Sequence, residues 1–200
     1  MKKKKTEEEI LKILLKQFTT KWTITSLAKE INISRVGIWK VLKRLETEKL
    51  ILLFPIGQGK TSTFSINLNW ENPLLEKRLS LILTEEALKN QRWLNNFNEL
   101  ENKIEFLILY GSILHSPKEA NDIDVLGVVS NKDNFSKIEG IIQKAQKTQI
   151  KKIHSENFTK TEFKDEIKKS NKIFIDALKK GVVLFGQEKF IKFIKDKSTK

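Results

Sequence analysis

The chain has 200 residues, 39% of them hydrophobic and 12 of them Phe, with a formal net charge of +13. That apolar content excludes global disorder, the absence of cysteine excludes disulfides and thiolate metal sites, and two histidines are too few for a histidine-rich zinc centre. No apolar run approaches the roughly 20 residues that span a bilayer, and the lysine-led start lacks the apolar segment of a signal peptide, so a cytoplasmic protein with no membrane partner is expected.

The charge is unevenly spread. Residues 1–70 carry 12 Lys and 2 Arg against 6 Glu, whereas the other 130 residues carry 24 basic and 19 acidic side chains. A small and strongly basic N-terminal part suggests a polyanionic partner, most often nucleic acid. The competing explanation is a lysine-rich surface with no specific partner.

The first predicted element is a helix over "TEEEILKILLKQF", with Thr6 as its N-cap, three Glu near the positive end of the dipole, and Ile10, Ile13, Leu14 and Phe18 at helical spacing. A short helix over "ITSLAKEINI" follows, with Leu27, Ala28 and Ile31 on one side and Asn32 in the turn. Ser34 then caps a third helix, whose Ile38, Val41, Leu42 and Leu45 form the inward stripe. Two extended runs, "LILLFPI" and "TSTFSINL", are joined by "GQGK", where Gly57 and Gly59 supply the freedom a hairpin loop needs.

Three helices and a hairpin in this order resemble the winged helix-turn-helix family over about residues 6–69. The resemblance implies that the helix after Ser34 enters the major groove of DNA while the hairpin tip meets the backbone; RNA is the alternative partner. On that reading Ser34, Arg35, Trp39, Lys40, Lys43 and Arg44 are candidates for nucleic-acid contact, with Lys60 at the wing tip meeting phosphate. Trp39 is equally compatible with packing in the core. A winged helix can also serve as a protein-interaction module, and such domains often dimerise, so a homodimer is left open.

Residues 71–101 predict one or two helices that begin at Asn72-Pro73, with Leu75, Leu79 and Ile82, then Leu94, Phe97 and Leu100, at helical spacing. This stretch reads as a stiff connector or as a packing partner for both domains. Beyond it, "IEFLILY" and "DIDVLGVV" predict two strands. Side chains alternate along a strand, so Asp122 and Asp124 project to one side while Ile123 and Val125 turn to the other. Two neighbouring carboxylates repel when ionised, a cost that a bound cation relieves. Oxygen ligands of this kind suit Mg²⁺, with Mn²⁺ as the alternative. Gly111 and Ser112 close the first strand, where a glycine backbone and a hydroxyl can meet phosphate oxygens.

A strand, Gly-Ser, nine residues and Asp-Ile-Asp together resemble the nucleotidyltransferase superfamily that includes DNA polymerase beta and the minimal nucleotidyltransferases, over about residues 102–190. The resemblance implies a mixed β-sheet flanked by helices, with a nucleoside triphosphate and two divalent ions at Gly111, Ser112, Asp122 and Asp124. It further implies a two-metal transfer of a nucleoside monophosphate to a hydroxyl. Two departures bear on catalysis. Active relatives carry a third carboxylate on a later strand; here the run "TQIKKIHSENF" offers Glu156, as ligand or general base, or His154 as base. Relatives also often carry an arginine soon after the Gly-Ser, and here Lys118 is the first cation in that place.

The expected fold is therefore α+β: a winged helix-turn-helix over residues 1–70, a helical connector over 71–101 and a nucleotidyltransferase-like domain over 102–200. The last of these ends in a helix, the strand "GVVLFG" and an amphipathic helix with Phe190, Ile191, Phe193 and Ile194 on one side. Two functions fit. One is a nucleic-acid-binding nucleotidyltransferase with an unknown hydroxyl acceptor. The other is a DNA-binding transcriptional regulator whose second domain senses a nucleotide without transferring it.

Overall fold

Local capping decides where the first helices begin and end. The computed structural model describes residues 2–57, 63–169 and 171–198; Gly59 and Lys60 of the expected wing tip lie outside them. Helix α1 spans Lys2–Lys16, so Thr6 lies inside the helix and does not cap it. Lysine is a good helix former, and nothing in "KKKK" breaks the helix before the acidic turn. Helix α2 (Ile24–Ile31) starts at Thr23, which forms a reciprocal capping box with Ser26, and stops at Asn32, whose φ of 57° is left-handed. Helix α3 (Arg35–Thr47) starts at Ser34, whose Oγ accepts the Gly37 N–H at 3.1 Å.

Strands β1 (Ile51–Ile56) and β2 (Thr63–Leu68) pair antiparallel, Leu53 opposite Ile66. A further bridge joins Thr23 to Ser65, and the Ile66 N–H donates to the Trp22 carbonyl, which ties the hairpin back to the entry of α2. The stripes of α1, α2 and α3 bury Ile10, Leu14, Leu27, Ile38, Leu42 and Leu45.

The chain divides into two compact units, residues 1–82 with 193–200, and residues 83–192. Helix α4 (Pro73–Leu88) runs across the division, and α5 (Gln91–Asn96) lies wholly in the second unit. The stretch read as a connector is thus shared between the two.

The second unit is built on a four-stranded sheet in the order β5-β4-β3-β6, formed by β3 (Phe106–Tyr110), β4 (Asp122–Val129), β5 (Lys152–Thr159) and β6 (Val182–Phe185). β3 is antiparallel to β4 and β6, and β4 is parallel to β5, to which it connects through helix α6 (Phe135–Gln146). One sheet face carries Leu107, Leu109, Ile123, Val125 and Ile153, buried with Trp93, Phe97, Ile138 and Ile142 of the helical segments. The opposite face carries an aromatic cluster. Phe106 meets Phe163 and Phe190 edge-on at 5.8 and 5.4 Å, and Phe158 meets Phe174 at 4.9 Å.

Phe163 and Phe174 belong to α7 (Lys160–Lys168) and α8 (Lys172–Lys180), which cover that face; α9 (Gln187–Ser198) follows β6. Helix α7 goes beyond the elements expected from sequence. The whole is α+β, with an N-terminal helical part followed by a sheet-containing C-terminal part. Among the described residues no helix is long and apolar enough to cross a membrane.

Candidate functional site

The cap at Ser34 fixes the outer face of α3 in the first unit. Arg35, Lys40, Lys43 and Arg44 are exposed along this helix, as is Val36, an apolar side chain 65% open to solvent that the sequence reading passed over. A buried stripe of Ile38, Val41, Leu42 and Leu45 leaves these residues to the solvent side. Not all of the basic groups stand alone. Arg44 pairs with Glu7 at 2.9 Å, and Lys43 pairs with Glu46 at 2.7 Å while lying 4.7 Å over the Trp39 ring.

Trp39 is half-buried and packs on Phe64 of β2, ring centres 5.4 Å apart, so it joins α3 to the hairpin. Glu7 is a buried carboxylate that also receives Arg78 at 3.1 Å; Arg78 in turn reaches Glu48. The Arg44 end of the helix is thereby committed to holding α1, α3 and α4 of this unit together. The Ser34–Lys40 end is the part presented outward.

Residues 6–56 match the family model described as an HTH domain. The first part of the chain is a helix-turn-helix. The match covers α2, the Asn32 turn and α3, and it extends through β1 of the hairpin. No curated protein and no solved structure matches the chain.

A second cluster lies in the other unit, at the end of the sheet where β3 finishes and β4 and β5 begin. Register builds it. Asp124 on β4 stands opposite Tyr110 on β3 and opposite His154 on β5, so the three side chains share one face of the pleat. Asp122 lies on the same face, two residues earlier. The His154 Nδ1 is 3.4 Å from Asp122 Oδ2 and 3.6 Å from Asp124 Oδ1. Asp122, Asp124 and His154 can all offer a ligand atom within 4.8 Å of one another.

Glu156 is exposed and shares the face, opposite Leu126, but it is not part of that group of three. Its charge reaches Tyr110 all the same. Burial first, then the charges of Glu156, Asp124 and Asp122, push the Tyr110 phenol up to about 12. Burial and the neighbouring Asp122 likewise raise Asp124 above the ordinary aspartate value, against the opposing pull of His154. A site that resists negative charge in this way gains from a cation.

Gly111 reaches this cluster from the end of β3. Its φ is +82° with ψ −165°, and a Cβ there would fall 2.3 Å from Asp124 Oδ2. The backbone can lie against the carboxylate because residue 111 has no side chain. Ser112 is exposed and opens a single 3-10 turn, Ser112–Leu114. Lys118 is also exposed, and its carbonyl accepts from Lys151 Nζ at 3.3 Å; the same amine reaches the Ala120 carbonyl. Lys151, just ahead of β5, thus anchors the loop that leads into Asp122.

Proposed function

We propose that the chain is a cytoplasmic DNA-binding regulator, with a nucleoside triphosphate and a divalent ion as the signal held by its C-terminal unit. The observation that carries the first half is the solvent face of α3 in a helix-turn-helix: Ser34, Arg35, Val36 and Lys40 all lie on the exposed side of a capped helix. A helix of this kind reads base edges in the major groove from its N-terminal residues. Arg35 is placed to reach guanine or phosphate, Val36 offers an apolar contact to a thymine methyl, and Lys40 and Lys43 suit phosphate. Selection of bound duplexes from a randomised DNA pool tests this. A recurring motif, weakened by Arg35→Ala and Val36→Ala, is expected; uniform recovery of all sequences would overturn it.

Support for the second half is the donor set. Two carboxylates and an imidazole converge on one point of the sheet, and the glycine beside them leaves room where any other residue would press on Asp124. These residues fit a divalent ion, whether Mg²⁺ or Mn²⁺, and Asp122 and Asp124 would hold it. Such an ion, when bound, supplies positive charge to phosphate oxygens. Gly111 keeps its backbone close to Asp124, and Ser112 stands exposed beside it with a hydroxyl for a phosphate oxygen; Lys118 supplies a cation on the same loop.

A second reading, transfer of the nucleoside monophosphate to a hydroxyl acceptor, is favoured by the Gly-Ser and Asp-Ile-Asp arrangement. It gives His154 or Glu156 the part of base, since both lie on the face of Asp122 and Asp124. Incubation with each α-labelled nucleoside triphosphate, with Asp122→Asn/Asp124→Asn alongside, separates the two. Label transferred only by the native chain supports the enzyme; metal-dependent binding of the nucleotide without transfer supports the regulator.

A further inference from the structure

We infer that the metal site of the C-terminal unit selects a first-row transition ion of the Mn²⁺ class over Mg²⁺, with His154 as a nitrogen ligand. This rests on the reading that Asp122 and Asp124 bind a divalent ion and goes beyond it in naming the third donor and the class of metal.

Three observations carry it. The first is chemical: Mg²⁺ takes oxygen ligands and keeps its waters, whereas first-row transition ions accept an imidazole nitrogen, and Mn²⁺ is the one among them that shares the preference of Mg²⁺ for carboxylates. The second is geometric. Donors about 2.1 Å from a shared tetrahedral ion stand about 3.4 Å apart, and octahedral neighbours stand about 3.0 Å apart. The Nδ1 of His154 lies 3.4 and 3.6 Å from one oxygen of each aspartate, and donor atoms of all three residues fall within 4.8 Å of one another. A shift of a few tenths of an ångström in the imidazole and a closing of the two carboxylates bring them to the spacing of ligands around one ion. The third is structural. Asp124 and His154 are direct partners in the parallel ladder of β4 and β5, so strand register holds the imidazole against the carboxylates. A loop would hold it less firmly.

An imidazole between two carboxylates has a different use as well: when protonated, it is a built-in counter-cation that makes a metal unnecessary. The two uses predict opposite effects of removing the ring. A ligand lost weakens metal binding; a competitor lost strengthens it.

The test uses the full chain stripped of metal, titrated with Mn²⁺ and with Mg²⁺ by calorimetry, with Mn²⁺ also followed by pulsed electron paramagnetic resonance. His154→Gln and Asp124→Asn are compared with the native chain. Expected are tighter binding of Mn²⁺ than of Mg²⁺, and a nitrogen modulation of the Mn²⁺ echo that disappears in His154→Gln. That variant also loses about tenfold or more in Mn²⁺ affinity, by analogy with the loss on removing a group that supports a metal ligand, while its Mg²⁺ affinity holds. Equal affinities for the two ions, no nitrogen modulation, or tighter Mn²⁺ binding in His154→Gln would overturn the inference and leave the carboxylate site standing. Binding of neither ion would overturn the site itself.

Discussion

Gly111→Ala puts the geometry of the carboxylate cluster to a quantitative test. The native φ of +82° with ψ −165° lies in a region that is essentially glycine's own, and holding another residue there costs about 1–3 kcal/mol. The added methyl carbon falls 2.3 Å from Asp124 Oδ2. The Asp124 backbone cannot retreat, because it is paired on both sides, to Tyr110 and to His154. Its carboxylate can rotate away at little cost. The steric part of the damage therefore appears as a displaced ligand oxygen, and the backbone part appears as lost stability.

Urea denaturation followed by circular dichroism should show a loss of about 1–3 kcal/mol for Gly111→Ala, and calorimetric titration with Mn²⁺ should show affinity down by at least about tenfold. Gly57→Ala is the control. There φ is +90° but, among the described residues, nothing lies within 4 Å of the added carbon, so its backbone cost comes with unchanged metal binding. A Gly111→Ala protein that binds Mn²⁺ as tightly as the native chain would refute the reasoning, since the close approach of backbone to carboxylate would then have no bearing on the ligands.

Other expectations follow from individual contacts. Lys132 and the N–H and hydroxyl of Thr159 hold the Glu162 carboxyl down to about 2, against an ordinary 4.5. Its folded value lies below its unfolded one, so its contribution is present above pH 4.5 and is lost as pH falls towards 2. Acid denaturation of Glu162→Gln should be flatter across that window. Tyr110 is the chain's one tyrosine, so its ultraviolet titration should show a midpoint near 12, and Asp124→Asn should move it down by removing a negative neighbour. Because that folded value is raised, the fold should also lose stability as pH rises from 10 towards 12. Glu7→Ala leaves Arg44 and Arg78 facing an apolar residue; both retain some exposure, so about 1–3 kcal/mol is expected in urea denaturation monitored by tryptophan fluorescence.

Sequence and structure agree most closely where the signal is local. The inward stripe of α3, the cap at Ser34 and the alternation of Asp122, Ile123, Asp124 and Val125 are consequences of spacing alone, and each is read from a few neighbouring residues. Helix α7 has a local signal too, the Thr159–Glu162 capping box in "TKTE", but it follows directly on the strand and has no turn residue to separate the two. Thr6 has the chemistry of a cap, but the helix propensity of the lysines before it carries α1 back to Lys2.

Non-local pairing was harder to see. Arg44 looks like any other basic residue on α3 until Glu7, on another helix, is found beneath it. His154 becomes a partner of Asp122 and Asp124 through the register of two parallel strands joined by α6, and no spacing rule gives that register. Glu156 shares its face but falls one pleat further along, opposite Leu126.

The proposal that α3 binds duplex DNA is tested most directly by the salt dependence of that binding. Fluorescence anisotropy with a labelled duplex, between about 50 and 200 mM salt, gives a slope of roughly −0.9 for each phosphate contact neutralised. The account predicts a linear fall of log affinity with log salt, and a slope that shrinks by about one for each contact removed when Lys40 or Lys43 is changed to Ala. No binding at the low-salt end, or a slope that is the same in those variants, would contradict it.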